Sequence, residues 1–227
     1  MSNKGINFNK NVINVADEMN NVMMVLLELK LLYFYRDVRP QLIDNKLQII
    51  TWNNHESSRA NCGPSFTTLE QYEHILKTGA FHCILFDGSI IRSSFEFAGK
   101  DLIYHSHLWW PAPYTNSIKP DEFTPQTKYE DLLTDPDWTK KVRMRSPIRI
   151  DFDPDLENES HPLVHLHTQN HETRMKVDKP ICFGKFMKYI LQNFYPDIKM
   201  DFRGWNLISF SHQEPSISDY QCSSVTL

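Results

Sequence analysis

The chain has 227 residues, with 24 Lys and Arg against 28 Asp and Glu, a formal net charge of −4. That balance excludes binding to nucleic acid by bulk charge, so such a partner would need a local basic patch. Hydrophobic residues at 41% and aromatics at 12% supply a real core and exclude global disorder. Seven glycines against thirteen prolines, without a Gly-rich dinucleotide or Walker-type motif, argue against a phosphate-cradling loop, and no cofactor is expected.

Cys62, Cys83, Cys182 and Cys222 form no C-x-x-C pair, which argues against a zinc ribbon. The first residues lack the apolar segment of an export signal. The longest apolar run, Val22 to Tyr35, is broken by Glu28 and Lys30. The expectation is a cytoplasmic protein with free thiols and no membrane association.

In chain order, apolar spacing at Val12, Val15, Met19, Val22, Met23, Leu26, Leu29 and Tyr33 predicts one long helix over 9–37, stopped by Pro40. A strand follows over Lys46–Trp52, then a polar loop, Asn53–Ser65. Thr68–Lys77 reads as a helix capped by Thr67 or Thr68 and ended by Gly79. The period then drops to two. Phe81–Phe86, Ser89–Phe97 and Leu102–Trp110 are predicted strands, joined by turns at Asp87-Gly88 and Ala98-Gly99-Lys100. Residues 114–139 read as a long surface excursion. Strands return at Arg145–Phe152, Leu163–Thr168 and Thr173–Val177, with an acidic loop over 153–162. Ile181–Tyr195 is an amphipathic helix closed by Pro196. Trp205–Phe210 reads as a last strand before a polar tail. The fold class is α+β: a mostly antiparallel sheet packed by an N-terminal and a C-terminal helix. The division is an N-terminal helical segment (1–60), a core (61–200) and a C-terminal strand and tail (201–227).

Strand alternation locates the candidate chemistry. Ile91, Phe95 and Phe97 share one face of their strand, and Arg92, Ser94 and Glu96 the other. Ile148, Ile150 and Phe152 oppose Arg149, Asp151 and Asp153. Val164 and Leu166 oppose His165 and His167. With His105 and His107 assigned to the same side, one polar surface would carry Glu96, His105, His107, Arg149, Asp151, His165 and His167. These are acid, base and cation types that move protons or hold oxyanions. Antiparallel sheets also commonly solvate one face without any function.

The segment Lys140–Arg149 has five cations and no acid, and Arg143, Arg145 and Arg149 alternate as on one strand face. Lys140, Lys141, Arg143, Arg145 and Arg174 are the candidate phosphate or nucleic-acid contacts. The plainer alternative is a solvated edge. His161, His165, His167 and His171 with a nearby carboxylate would also suit a transition metal, although the primary reading assigns no metal.

The order Asp87-Gly-Ser89, Arg149-Ile-Asp151-Phe-Asp153-Pro, His161-Pro-Leu-Val-His165-Leu-His167, Arg174 and the helix Phe186–Tyr195 resembles an uncharacterised bacterial family of unknown function, DUF2290, over roughly residues 80–196. A more distant likeness is to TumE-type toxins of toxin–antitoxin modules. There Asp87, Ser89, Glu96, Arg149, Asp151, His161, His165 and His167 are the matching positions. The N-terminal helix and the insertion at 114–139 depart from that pattern. The likeness implies a toxin-like or antiphage effector enzyme acting on RNA or another phosphate ester without a metal. In that reading His165 or His167, with His161 beside them, supplies the acid or base. Arg149 or Arg174 stabilises phosphate charge, and Glu96 or Asp151 orients a histidine. The alternative is a non-catalytic subunit of a defence complex that docks a protein encoded in the same operon or senses RNA or DNA.

Overall fold

The computed structural model describes residues 8–43, 47–52, 55, 66–114, 125–168 and 170–198. Helix α1 spans Lys10–Glu28, and the Asn9 side chain caps it by accepting from the Asn11 amide. The expected continuation to residue 37 does not occur. Lys30 takes a left-handed conformation at φ 57°, and the chain enters strand β1, Leu32–Tyr35. The physical reason is side-chain type: Leu31 to Tyr35 is bulky and aromatic, and it extends along a neighbouring strand as readily as it would coil.

Strands β2 (Gln41–Leu42) and β3 (Leu47–Ile50) follow. Helix α2, Leu69–Thr78, starts at a capping box in which Thr68 and Gln71 satisfy each other's amides, and it ends at Gly79 with φ 66°, as its sequence predicts. Strands β4 (Cys83–Leu85), β5 (Ile90–Ala98) and β6 (Asp101–Trp110) form the expected meander. The excursion read over 114–139 contains helices α3 (Pro125–Thr134) and α4 (Trp138–Lys141), with Tyr129 and Leu132 of α3 buried. Strands β7 (Ile148–Phe152), β8 (Val164–Thr168) and β9 (Asn170–Lys176) precede helix α5, Phe183–Phe194. The expected final strand at 205–210 lies outside the described residues, as does most of the polar loop at 53–65.

The nine strands make one antiparallel sheet in the order β1-β4-β5-β6-β7-β8-β9, with β3 also on β5 and β2 on β3. The fold is therefore α+β. Helices α1 and α5 cover one face, where Val15, Met19, Met23 and Leu26 meet Phe186, Ile190, Phe95, Ile150 and Leu166 in one core. Each such side chain contributes about 1.5–3 kcal/mol of burial. Over the β5–β6 end of the other face, α2 and α3 build a second core around Tyr72, Trp110, Tyr114 and Tyr129. The rest of that second face is polar. No described helix is long and apolar enough to cross a membrane. Cys83 and Cys182 are free thiols.

Glu18 ties the two covering helices together. It lies on the apolar side of α1, 1% exposed, and its carboxylate accepts the Gly184 amide in the first turn of α5 at 2.9 Å. A carboxylate at a helix N-terminus meets both an orphan donor and the positive end of the dipole. Glu18→Ala leaves that amide buried without its acceptor and should cost about 1–3 kcal/mol in urea unfolding. An unchanged midpoint would remove Glu18 from the account of how α1 and α5 dock.

Candidate active site

Register decides which side chains share the polar face. Across the central strands, Ser94 pairs with Ser106, Ser106 with Asp151, and Asp151 with His165. One row of the sheet thus runs Ser94–Ser106–Asp151–His165. Arg149 opposite His167 forms part of the next row. The alternation in β7 and β8 is as the sequence predicts: Ile148, Ile150, Phe152, Val164 and Leu166 all enter the α1/α5 core.

His105 and His107 are not on this face. They pair with Phe95 and Ser93 on one side and with Phe152 and Ile150 on the other, so they point into the α1/α5 core. The reversal comes from one residue. Ala98 pairs with Asp101 and Phe97 with Leu102, but Glu96 pairs with Tyr104, leaving Ile103 as an extra residue. A bulge of one residue moves every later side chain to the opposite face. His107 is satisfied there as a neutral ring: Nε2 donates to the Ile181 carbonyl at 3.0 Å, and Nδ1 accepts from the Ser93 hydroxyl at 2.9 Å. Burial lowers its pKa to about 4. His105 packs among Phe95, Phe152 and His107, and neither ring nitrogen has a hydrogen-bond partner.

On the polar face the central group is Asp151. Its Oδ2 is 2.8 Å from Arg149 Nε, 3.1 Å from His167 Nε2 and 3.9 Å from His165 Nε2. Burial alone would raise the pKa of this carboxylate. The Arg149 guanidinium, His167 and the Ser106 hydroxyl outweigh it and hold Asp151 below the ordinary carboxylate range. His165 Nδ1 lies 2.7 Å from the Pro162 carbonyl. A carbonyl only accepts, so Nδ1 carries the proton and Nε2 presents its lone pair toward Asp151. Burial lowers His165 to about 4 against the opposing pull of Asp151, so the ring is neutral at pH 7. His161 packs edge-on against His165, ring centroids 4.3 Å apart, and His165 against His167 at 4.7 Å. Burial and Arg174 lower the His161 pKa.

Asp151, His165 and His167 are 7%, 1% and 6% exposed. The plainer alternative of a solvated face does not hold at these three residues: they are buried polar groups. The Asp-Pro-Asp loop accounts for part of the arrangement. Asp153 accepts the Asp155 amide and starts a short 3-10 turn at Pro154–Leu156, and the return of the chain brings Pro162 under His165.

The other sequence-selected residues fall elsewhere. Glu96 pairs with Tyr104 in β5, two strands from Asp151, about 10 Å away at ordinary strand spacing, and is not part of the cluster. The basic segment is not a strand stripe, because β7 begins only at Ile148, after Pro147. Lys140 and Lys141 lie in α4 and pair with Asp137 and Asp135. Arg145 reaches Asp87 at 3.4 Å and the Ala112 carbonyl at 2.9 Å. Arg174 is exposed on β9. The side chain of His171 lies outside the described set. Asp87 and Ser89 form a structural knot instead: Ser89 donates to Asp87 through both its amide and its hydroxyl, and Tyr195 donates to Asp87 from the end of α5.

Sequence reading missed the neighbour of the cluster. A cavity of about 600 Å³ opens between α2, the end of β6 and residues 142–147, walled by Phe66, Tyr72, Trp110, Trp138, Arg143 and Arg145. Phe66 joins it to the cluster, since the Arg149 guanidinium lies 5.9 Å from its ring centre. Phe66 follows a turn-rich stretch and carries no sequence signal of its own.

This fold and site define an α+β protein with a buried histidine–carboxylate centre on the polar face of an antiparallel sheet. The uncharacterized conserved protein family DUF2290 matches residues 34–226, and the chain belongs to that family. The match begins at β1 and takes in every residue of the cluster. No curated protein and no solved structure matches the chain.

Proposed function

We propose that the chain is an effector enzyme that cleaves a phosphoester bond in single-stranded RNA, with the cluster around Asp151 as its reaction centre. The observation that carries this reading is the convergence of Asp151, His165 and His167 beside Arg149 next to a cavity lined with aromatic rings and arginines. His165 offers a lone pair at neutral pH, available to a proton or to a cation. Arg149 supplies a fixed positive charge within reach of phosphate oxygens. Rings such as Trp138, 40% exposed in the cavity wall, and Phe66 stack bases without sequence preference, each stacked base contributing about 1–3 kcal/mol. A toxin-like or antiphage role is the cellular setting this chemistry suits.

The test is cleavage of a single-stranded RNA oligonucleotide by the purified full chain, with divalent cations supplied. His165→Gln should slow it by at least about 10²-fold, because the lone pair is lost whether it serves a proton or a cation. RNA left intact by the wild-type chain, or cut equally well by a folded His165→Gln variant, would contradict the reading. Arg143→Gln should act on binding: losing one phosphate contact lowers the magnitude of the salt dependence by about one. Unchanged affinity and slope would take Arg143 out of the binding surface.

A second reading has its own support. Ile13, Met24 and Leu27 on α1 and Leu29 at its C-cap expose apolar side chains, as a subunit docking a protein partner would. Loss of cleavage with retained partner binding separates the two roles.

A further inference from the structure

We propose that Asp151, His165 and His167 bind one divalent transition-metal ion of the zinc class. One ligand atom from each residue lies within 4.8 Å of the other two. All three side chains are more than nine-tenths buried. A self-contained hydrogen-bond network would pair the polar atoms it buries. This one leaves Asp151 Oδ1 and both His167 ring nitrogens without hydrogen-bond partners, although His167 Nε2 is 3.1 Å from Asp151 Oδ2. A neutral imidazole carries one N–H and one lone pair, so the carboxylate and one His167 nitrogen are the lone-pair donors that an ion would occupy.

The surroundings are those a ligand set needs. His165 donates Nδ1–H to the Pro162 carbonyl, which fixes the tautomer and turns the Nε2 lone pair inward. Such a backbone acceptor is the usual partner of a metal-bound imidazole. Arg149 Nε lies 2.8 Å from Oδ2, the oxygen that also faces both imidazoles, and fixes the orientation of the carboxylate. Tetrahedral bonds of 2.0–2.1 Å place neighbouring ligand atoms about 3.4 Å apart. The Asp151 Oδ2-to-imidazole distances of 3.1 and 3.9 Å bracket that figure. Two imidazoles and one carboxylate suit zinc, cobalt, iron or manganese rather than calcium or magnesium, which prefer all-oxygen shells. Three protein ligands leave a position for water. The catalytic consequence rests on the RNA-cleaving reading: water on the ion loses its proton to solvent and attacks phosphorus as hydroxide, and the leaving oxygen takes up a proton from water.

The experiment uses the full chain, stripped with a chelator and titrated with Co2+, then Zn2+. The expected result is one equivalent of Co2+ with a visible ligand-field band, displaced by Zn2+, and a higher Tm with either ion. Asp151→Asn and His167→Gln should abolish the band, and Arg149→Met, outside the ligand shell, should weaken binding about 10–100-fold. No band and no Tm shift at stoichiometric metal would overturn the proposal, as would an unchanged band in folded Asp151→Asn and His167→Gln. Should those variants fail to fold, X-ray absorption of the wild-type zinc form decides. Two imidazoles with an oxygen support the site, and any other shell, including a sulfur one, overturns it. RNA cleavage by stripped, metal-free protein would overturn the catalytic role of the metal while leaving the enzyme reading intact. Bound metal without cleavage would do the reverse.

Discussion

Between pH 6.5 and pH 5 the folded chain should lose about 3 kcal/mol of stability from two histidines alone. His82 and His107 are buried, and burial lowers their pKa from the ordinary 6.5 to about 3 and about 4. Arg92 adds to the effect at His82. For a group with a depressed folded pKa, the unfolded chain takes the proton first. The stabilisation is therefore present above pH 6.5 and is lost as pH falls toward 4 and then 3. Each such histidine contributes a slope of about 1.4 kcal/mol per pH unit in that window. His105, also pushed well below its ordinary value by burial and by His107, steepens it. The measurement is urea unfolding at half-unit pH steps. His107→Gln, which cannot titrate, should remove about one proton from the slope. A stability flat from pH 7 to pH 5 would mean that these rings charge in place, contrary to their burial.

The second large effect is at Arg149. Removing one partner of a buried ion pair costs about 3–5 kcal/mol, because the remaining charge stays desolvated. Arg149 and Asp151 are 15% and 10% exposed at their side chains and 2.8 Å apart. Arg149→Met should therefore destabilise by that amount, and combining it with Asp151→Asn should recover part of the loss. The double-mutant cycle measures the coupling directly. A single-variant cost below about 1 kcal/mol would class the pair with solvated surface bridges, and the carboxylate would then have no fixed orientation to offer.

Sequence alone makes much of this fold legible, and its failures have local causes. The helix cap at Thr67 or Thr68, the Asp87-Gly88 and Gly99 turns and the amphipathic face of α5 are short-range signals, and the structure contains all of them, the cap falling on Thr68. The α1–β1 boundary is not legible, because Leu29 and Tyr33 continue a helical period through a left-handed Lys30. Alternation correctly sorts Arg149, Asp151, His165 and His167 from their apolar neighbours. It fails for His105 and His107, since no local residue announces the bulge at Ile103 that turns them inward. It also gives the face without its cover: Asp151 and both cluster histidines are buried, and burial is a tertiary property. The basic segment misleads for a similar reason. A run of cations between Trp138 and Pro147 reads as a strand until Pro147 delays β7 and the lysines find Asp135 and Asp137 in sequence.

The claim that this polar cluster is a reaction centre, rather than buried structure, meets its most direct test in one rate constant. Asp151→Asn keeps the shape of the side chain and removes its charge. The measurement is the single-turnover cleavage rate of a labelled single-stranded RNA at pH 7 by wild type and by this variant, each confirmed folded by circular dichroism at the assay temperature. The account predicts a loss of at least about 10²-fold, in the range expected when a charged group of a reaction centre is removed. Equal rates from two folded proteins would contradict it.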